Sequence, residues 1–327
     1  MANRYWTEIH EASDVLSRIL THYETNGTSL YKELAALWAH NDSPILFTGM
    51  GSSYFAGLYL ATLLNEKGVP SFAWDLGELL FYHRPLLDQS RVVVISQSGE
   101  TAEVLALLAS LPKHYPLVAL TNQLESTLSK RAQIVVPMLA GLEQSTASKT
   151  YLASLAIGFL LIEGVKRKNI SLGIETMAEV ICKIEGYLNS PETTRKIQEL
   201  TQYALATPHL SIASRGPSLA TAYEAALIIK ETSHHPADGL TGPQLRHGPF
   251  EMIGSDFHGL FIVHPGPTYT SQMRLMLDIK SRGGHIAVVT SAPDEVGQAI
   301  GPDLLLPLDP VSELVAPLID ILPFSHC

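Results

Sequence analysis

Apolar residues along this chain fall into two rhythms. From Trp6 to His40 they recur at helical spacing, with Ile9, Val15, Leu16 and Ile19 on one stripe and no glycine or proline before Gly27. That spacing predicts an N-terminal helical segment over residues 1–40. From Pro44 onward, short apolar runs alternate with longer helical stretches: Ile45-Leu46-Phe47, a helix to Asn65, Val92-Val93-Val94-Ile95, a helix to Leu111, then Leu117-Val118-Ala119-Leu120. Short buried strands alternating with amphipathic helices predict right-handed βαβ units and a parallel sheet.

The pattern then repeats. Ile45-Leu46-Phe47-Thr48-Gly49-Met50-Gly51-Ser52-Ser53 lines up with Leu210-Ser211-Ile212-Ala213-Ser214-Arg215-Gly216-Pro217-Ser218, and Val118-Ala119-Leu120-Thr121 with Ala287-Val288-Val289-Thr290. One design used twice predicts an α/β chain of two tandem, doubly wound, flavodoxin-like parallel-sheet domains with helices on both faces. The expected boundaries are 41–175 for the first domain, 176–200 for a helical connector broken at Asn189-Ser190-Pro191, and 201–327 for the second. A length of 327 residues suits two such cores.

Composition narrows the partners. Hydrophobic residues make up 46% and charged ones 17%, as in a globular chain with a large core. A formal net charge of −10 with no basic stripe argues against nucleic acid, whose binding depends on Lys and Arg neutralising phosphates. Cys182 and Cys327 are the only cysteines and have no metal-ligand spacing, so neither a disulfide framework nor a metal site is indicated, and a reducing compartment is expected. The start, Met1-Ala2-Asn3-Arg4-Tyr5-Trp6, lacks a signal pattern, and no apolar run approaches membrane-spanning length, which predicts a cytoplasmic location with no membrane partner.

Candidate chemistry lies where strands feed helices. Gly51-Ser52-Ser53, Ser96-Gln97-Ser98-Gly99-Glu100-Thr101 and Ser145-Thr146-Ala147-Ser148 each open a predicted helix. Such junctions present backbone N–H groups and the positive end of a helix dipole, and serine and threonine hydroxyls add hydrogen bonds to an anion without burying a countercharge. For any single loop, simple helix capping is the more economical reading. Three loops at successive junctions, and more hydroxyls between Ser96 and Thr101 than one cap uses, point to an anion cradle. The second half has His264-Pro265-Gly266-Pro267-Thr268-Tyr269 at the place of the hydroxyl run, so one anion site per chain is expected.

Gly51-Ser52-Ser53-Tyr54, the run Ser96 to Thr101, Glu231 and Arg246-His247-Gly248-Pro249 together resemble the double sugar isomerase (SIS) domain family, in particular the isomerase half of glutamine:fructose-6-phosphate aminotransferase. The resemblance covers nearly the whole chain, beginning with Glu8-Ile9-His10-Glu11. It implies a phosphorylated hexose or amino-sugar substrate held by Ser53, Ser96, Gln97, Ser98 and Thr101, with Thr146 and Ser148 in the matching third loop. No cofactor is implied. It further implies Glu231 as the base that moves a proton between the first two sugar carbons and His247 as the proton donor and acceptor at the ring oxygen. In the family that histidine reaches into the neighbouring subunit's site, so a homodimer with shared sites is implied.

Read without the resemblance, Glu231 is a solvated acid beside Lys230 that shares a helix face with Glu224, seven residues earlier. His247 is one of 13 histidines. The chain also departs from the aminotransferases. No glutaminase domain precedes it, so nitrogen for a synthase reaction would have to come from elsewhere. Ile228 stands where the synthases carry a lysine one turn before the base, and Lys230 lies roughly 200° further round the helix. The sequence stops at Leu322-Pro323-Phe324-Ser325-His326-Cys327, where relatives continue into a tail with a further lysine. The activity that the resemblance leads us to expect is an isomerase, an amino-sugar-phosphate deaminase or a fructosamine-phosphate deglycase; the competing class is a non-catalytic sugar-phosphate sensor.

Overall fold

The structure, a computed structural model, describes residues 4–38, 42–144, 146–167 and 170–326. The described residues divide into two compact units, one running from Thr7 to Ile181 and the other comprising those from Cys182 onward together with Arg4 to Trp6. Each unit is built on one five-stranded parallel sheet. The strands of the first are β1 (Ile45–Gly49), β2 (Ser71–Asp75), β3 (Arg91–Ser96), β4 (Leu117–Thr121) and β5 (Ile134–Pro137); those of the second are β6 (Leu210–Ser214), β7 (Ala237–Thr241), β8 (His258–Ile262), β9 (His285–Thr290) and β10 (Leu304–Pro307).

Strand order is β2-β1-β3-β4-β5 in one sheet and β7-β6-β8-β9-β10 in the other, the same winding in both, with every pairing parallel. Helices cover both faces, the arrangement that parallel strands require because neither face can be left to solvent. The reversal of winding between the first and third strands of each unit, β1 and β3 in one and β6 and β8 in the other, creates the crevice at the carboxyl edge where ligands of such sheets sit.

Alternation along the strands explains the burial. In the first unit Leu46, Val92, Val94 and Ala119 face a layer that includes Leu76, Leu79, Val104, Leu107 and Leu108. Their neighbours Phe47, Val93, Val118 and Leu120 are also buried, and point to the opposite face. In the second unit Ala213, Phe261, Val263, Ile286 and Val288 pack on Met273, Leu275, Met276 and Ile279 of the helix Tyr269–Ser281. The helical stretch expected at the start of the chain contains the helix Ala12–Trp38 and runs through Gly27, where an added Cβ would lie 2.7 Å from Ile170 Cδ1.

Two of the buried charged side chains, Glu163 and Lys149, each meet an opposite charge. The Lys67 ammonium donates to the Glu163 carboxylate; their side chains are 10% and 6% exposed. Lys149 Nζ donates to Glu11 Oε2 at 2.6 Å and to the Leu142 carbonyl at 2.8 Å. Among the described residues no helix is long and apolar enough to cross a membrane.

Candidate functional site

β3 ends at Ser96 and the chain turns sharply through Gln97-Ser98-Gly99-Glu100 into the helix Ala102–Ser110. Gly99 has φ +64° and donates its N–H to Ser96 Oγ at 3.1 Å, while Glu100 donates its own to Ser98 Oγ at 3.2 Å. Thr101 is the N-cap: its Oγ1 accepts from Val104 N at 3.4 Å. The capping reading of this loop is therefore correct as far as it goes. Each hydroxyl, however, spends an acceptor position on the backbone and keeps its own O–H to donate.

The neighbouring junction, where β1 passes through Met50 and Gly51 into the helix Ser52–Glu66, brings Ser53 to the same place. Ser53, Ser96, Gln97, Ser98 and Thr101 together line one cavity of about 130 Å³, with Met50, Ile95 and Val104 completing its wall. Its described lining carries no ionised side chain. Two helix N-termini converge on it, so the field inside favours an anion without a lysine or arginine. At roughly 30 Å³ per water of liquid volume, the space suits a phosphoryl group. The three apolar members escaped the sequence reading, although Met50 and Ile95 flank the residues it named.

The third loop is built otherwise. Neither Thr146 nor Ser148 lines this cavity, and Ser145 lies outside the described residues. Ser148 donates to Glu143 Oε1 from its N–H at 3.0 Å and from its hydroxyl at 3.3 Å; Thr150 donates its N–H to the same oxygen at 3.1 Å and its hydroxyl to Oε2. A carboxylate of the chain itself thus caps the helix Lys149–Arg167.

Glu231 and His247 belong to the second unit. Glu231 is exposed in the last turn of the helix Leu219–Ser233, whereas Glu224, on the same face, is fully buried. Periodicity puts the two acids on about one face but says nothing of their depth. Ile228 is 1% exposed, so the position of the synthase lysine is a core position here. His247 is exposed and closes the short helix Gly242–Arg246, which starts at a capping box between Thr241 and Gln244. Gly248 follows it with φ +124°. Arg246 is held by Asp278 at 2.6 Å. Among the described residues no group of three or more His, Cys, Asp or Glu side chains is gathered as a metal site.

The fold has counterparts among known proteins. Residues 40–163 match the family described as the SIS domain. The isomerizing glutamine–fructose-6-phosphate aminotransferase of Rhizobium leguminosarum bv. viciae is 29% identical over 97% of this chain and 54% of its own length. The chain thus spans about half the length of the curated relatives it matches. Among solved structures, the C-terminal domain of glucosamine-fructose-6-phosphate aminotransferase from Francisella tularensis superposes with a TM-score of 0.88 at 23% identity, covering 100% of this chain and 94% of that one. Tagatose-6-phosphate ketose/aldose isomerase from Escherichia coli does so with a TM-score of 0.81 at 14% identity, covering 99% and 92%. At these identities the structural likeness speaks for the fold.

Proposed function

From the premise that the chain is a SIS-domain protein homologous to the isomerase domain of glutamine–fructose-6-phosphate aminotransferases, we propose that it is an enzyme acting on a hexose 6-phosphate or amino-sugar 6-phosphate by proton transfer between carbons one and two. The observation that carries this reading is the convergence of Ser53, Ser96, Gln97, Ser98 and Thr101 on one small cavity at the carboxyl edge of a parallel sheet. In the proposed complex the phosphate accepts hydrogen bonds from these hydroxyls, the Gln97 side-chain amide and main-chain amides. Binding energy from this remote group then orients the reacting end of the sugar.

Glu231 acts in this proposal as the base at the second carbon and His247 as the proton carrier at the ring oxygen, in a homodimer whose sites are shared. An exposed carboxylate and imidazole would gain their catalytic environment only once substrate and a neighbouring subunit cover them. Ile228, buried where a lysine would stand, weighs against synthase-type amination and for an isomerase, deaminase or deglycase.

The reading is tested in two steps. Glucose 6-phosphate, fructose 6-phosphate and glucosamine 6-phosphate are first screened by thermal shift; a ligand at a hundred times its dissociation constant stabilises by about 2.7 kcal/mol. Glu231→Gln is then compared with the parent by NMR in deuterated buffer. We expect loss of exchange at the sugar's second carbon with affinity retained; exchange at the parent rate removes Glu231 as the base.

A further inference from the structure

At the carboxyl edge of the second sheet the place of the hydroxyl run is taken by a buried network. β8 leads into His264, 7% exposed, whose Nε2 lies 2.6 Å from Oδ1 of the fully buried Asp320. Asp320 Oδ2 accepts from Ser218 Oγ at 2.6 Å. On the other side of the ring, Nδ1 is 2.9 Å from Ser291 Oγ, to which the charged ring can donate, and 3.3 Å from Ser291 N, from which only the neutral ring can accept. One carboxylate therefore ties together the ends of β8 and β9, the C-terminal turn Pro317–Asp320, and Ser218, the residue that opens the helix Leu219–Ser233.

That helix carries Glu231 in its last turn. Ser218 has αR geometry at the end of the 3-10 turn Gly216–Ser218, makes no side-chain cap of its own helix, and donates its hydroxyl to Asp320. The helix start is thus anchored by a hydrogen bond to the sheet edge instead of by a local cap. We infer that Asp320, acting through Ser218 and held by His264, is a positioning residue for Glu231, fixing the amino end of the helix whose carboxyl end presents the base. The inference rests on the reading of Glu231 given above. Asp320 touches no reacting atom in this scheme.

The network responds to pH through His264. The charged groups facing it are Asp320 and Glu313, the latter lying over Gly266, where an added Cβ would come within 2.5 Å of Glu313 Oε2; Ser218 and Ser291 complete its surroundings. Burial works to lower the pKa of His264, but the charge and hydrogen bond of Asp320 and the charge of Glu313 outweigh it, and the net direction is up from 6.5. A histidine raised in the folded state contributes stability that is complete below its unfolded pKa and is lost as pH rises through the folded one. The anchor is therefore firm at and below about pH 6.5 and loosens on the alkaline side.

The test uses the full chain and two variants, Asp320→Asn and His264→Gln, each read by melting temperature against pH and by sugar proton exchange. The deficit in melting temperature of Asp320→Asn relative to the parent is expected to be largest at and below pH 6.5 and to close as pH rises. Its exchange rate at saturation should fall about ten- to a hundredfold, the size of loss that misplacing a reacting group from a distance produces, with KM for the sugar phosphate unchanged. His264→Gln, which keeps a neutral donor towards Asp320, should fold and lose the pH dependence of melting, and it secures the test should Asp320→Asn not fold. A deficit in Asp320→Asn independent of pH, or an unchanged exchange rate with a folded variant, overturns the proposal. Absence of exchange in the parent itself would overturn the catalytic assignment of Glu231, and the positioning role with it; the melting profiles would then still decide whether the His264–Asp320 anchor exists.

Discussion

The turn at Gly99 offers the sharpest test of the anion cradle, because the cost of closing it can be worked out atom by atom. Gly99 has φ +64°, and a Cβ built there would lie 2.3 Å from Ser126 Oγ, 2.7 Å from Ser126 Cβ and 3.1 Å from Leu128 Cβ. Ser126 cannot simply step aside. It is 5% exposed, its Oγ accepts from Ser129 N at 3.2 Å as the N-cap of the helix Thr127–Arg131, and it also meets Ser129 Oγ at 3.2 Å. Gly99→Ala therefore combines left-handed strain of about 1–2 kcal/mol, overpacking of about 1–3 kcal/mol and the threat to a cap worth about 1 kcal/mol. We expect a loss of about 3–6 kcal/mol.

Gly68→Ala isolates the first of these contributions. Gly68 has φ +76° but nothing within 4 Å of a built Cβ, so its substitution carries left-handed strain alone, partly offset by the reduced freedom of the unfolded chain; the net cost should be about 1 kcal/mol. Both variants are followed by urea denaturation with tryptophan fluorescence, which reports mainly on the first unit because Trp38 and Trp74 lie there. Gly99→Ala should also lose the melting-temperature shift given by a sugar phosphate, because Gly99 N–H fixes Ser96 Oγ at the cavity wall. Equal stabilities for the two variants, or a retained ligand shift in Gly99→Ala, would refute the account of the cradle as a tightly packed, pre-formed turn.

Two further outcomes follow from groups away from the cavity. Lys67→Met leaves the Glu163 carboxylate without its ammonium in a site where that side chain is 6% exposed; a drop of about 3–5 kcal/mol in urea unfolding is expected, and a second change, Glu163→Leu, should restore part of it. Glu143→Ala removes the acceptor shared by Ser148 and Thr150 at the start of the helix Lys149–Arg167, which should cost about 1–2 kcal/mol with sugar-phosphate affinity unchanged, as measured by calorimetric titration.

How much of this was legible in the chain depended on range. The repeat of Ile45–Ser53 in Leu210–Ser218 marked β1 and β6 and the turns that follow them, and the shared strand order shows how far the repetition extends. β2 and β7 carried no such signal: Ser71-Phe72-Ala73-Trp74-Asp75 and Ala237-Asp238-Gly239-Leu240-Thr241 are edge strands, half-buried and mixed in polarity, so no apolar run announces them. The hydroxyls from Ser96 to Thr101 were legible because a turn gathers neighbours in sequence. Thr146 and Ser148 looked the same on paper, but Glu143 stands five residues before Ser148 and takes its donors. An acid shortly before a Ser/Thr cluster was the available signal that this loop supplies its own anion.

The same logic explains why two copies of one sheet differ in what their edges can hold. In the first unit the described lining of the edge cavity is uncharged, and its hydroxyls retain protons to donate. In the second, Asp320 comes 102 residues after Ser218 and 56 after His264 to place a carboxylate at the sheet edge. No local pattern could have revealed a contact over such separations. A phosphate brought there would find the donors of Ser218 and His264 already taken by Asp320, and desolvation without new hydrogen bonds would oppose it. At the second edge the missing serine run is thus accompanied by a carboxylate of the chain itself, which occupies the donors an incoming anion would need.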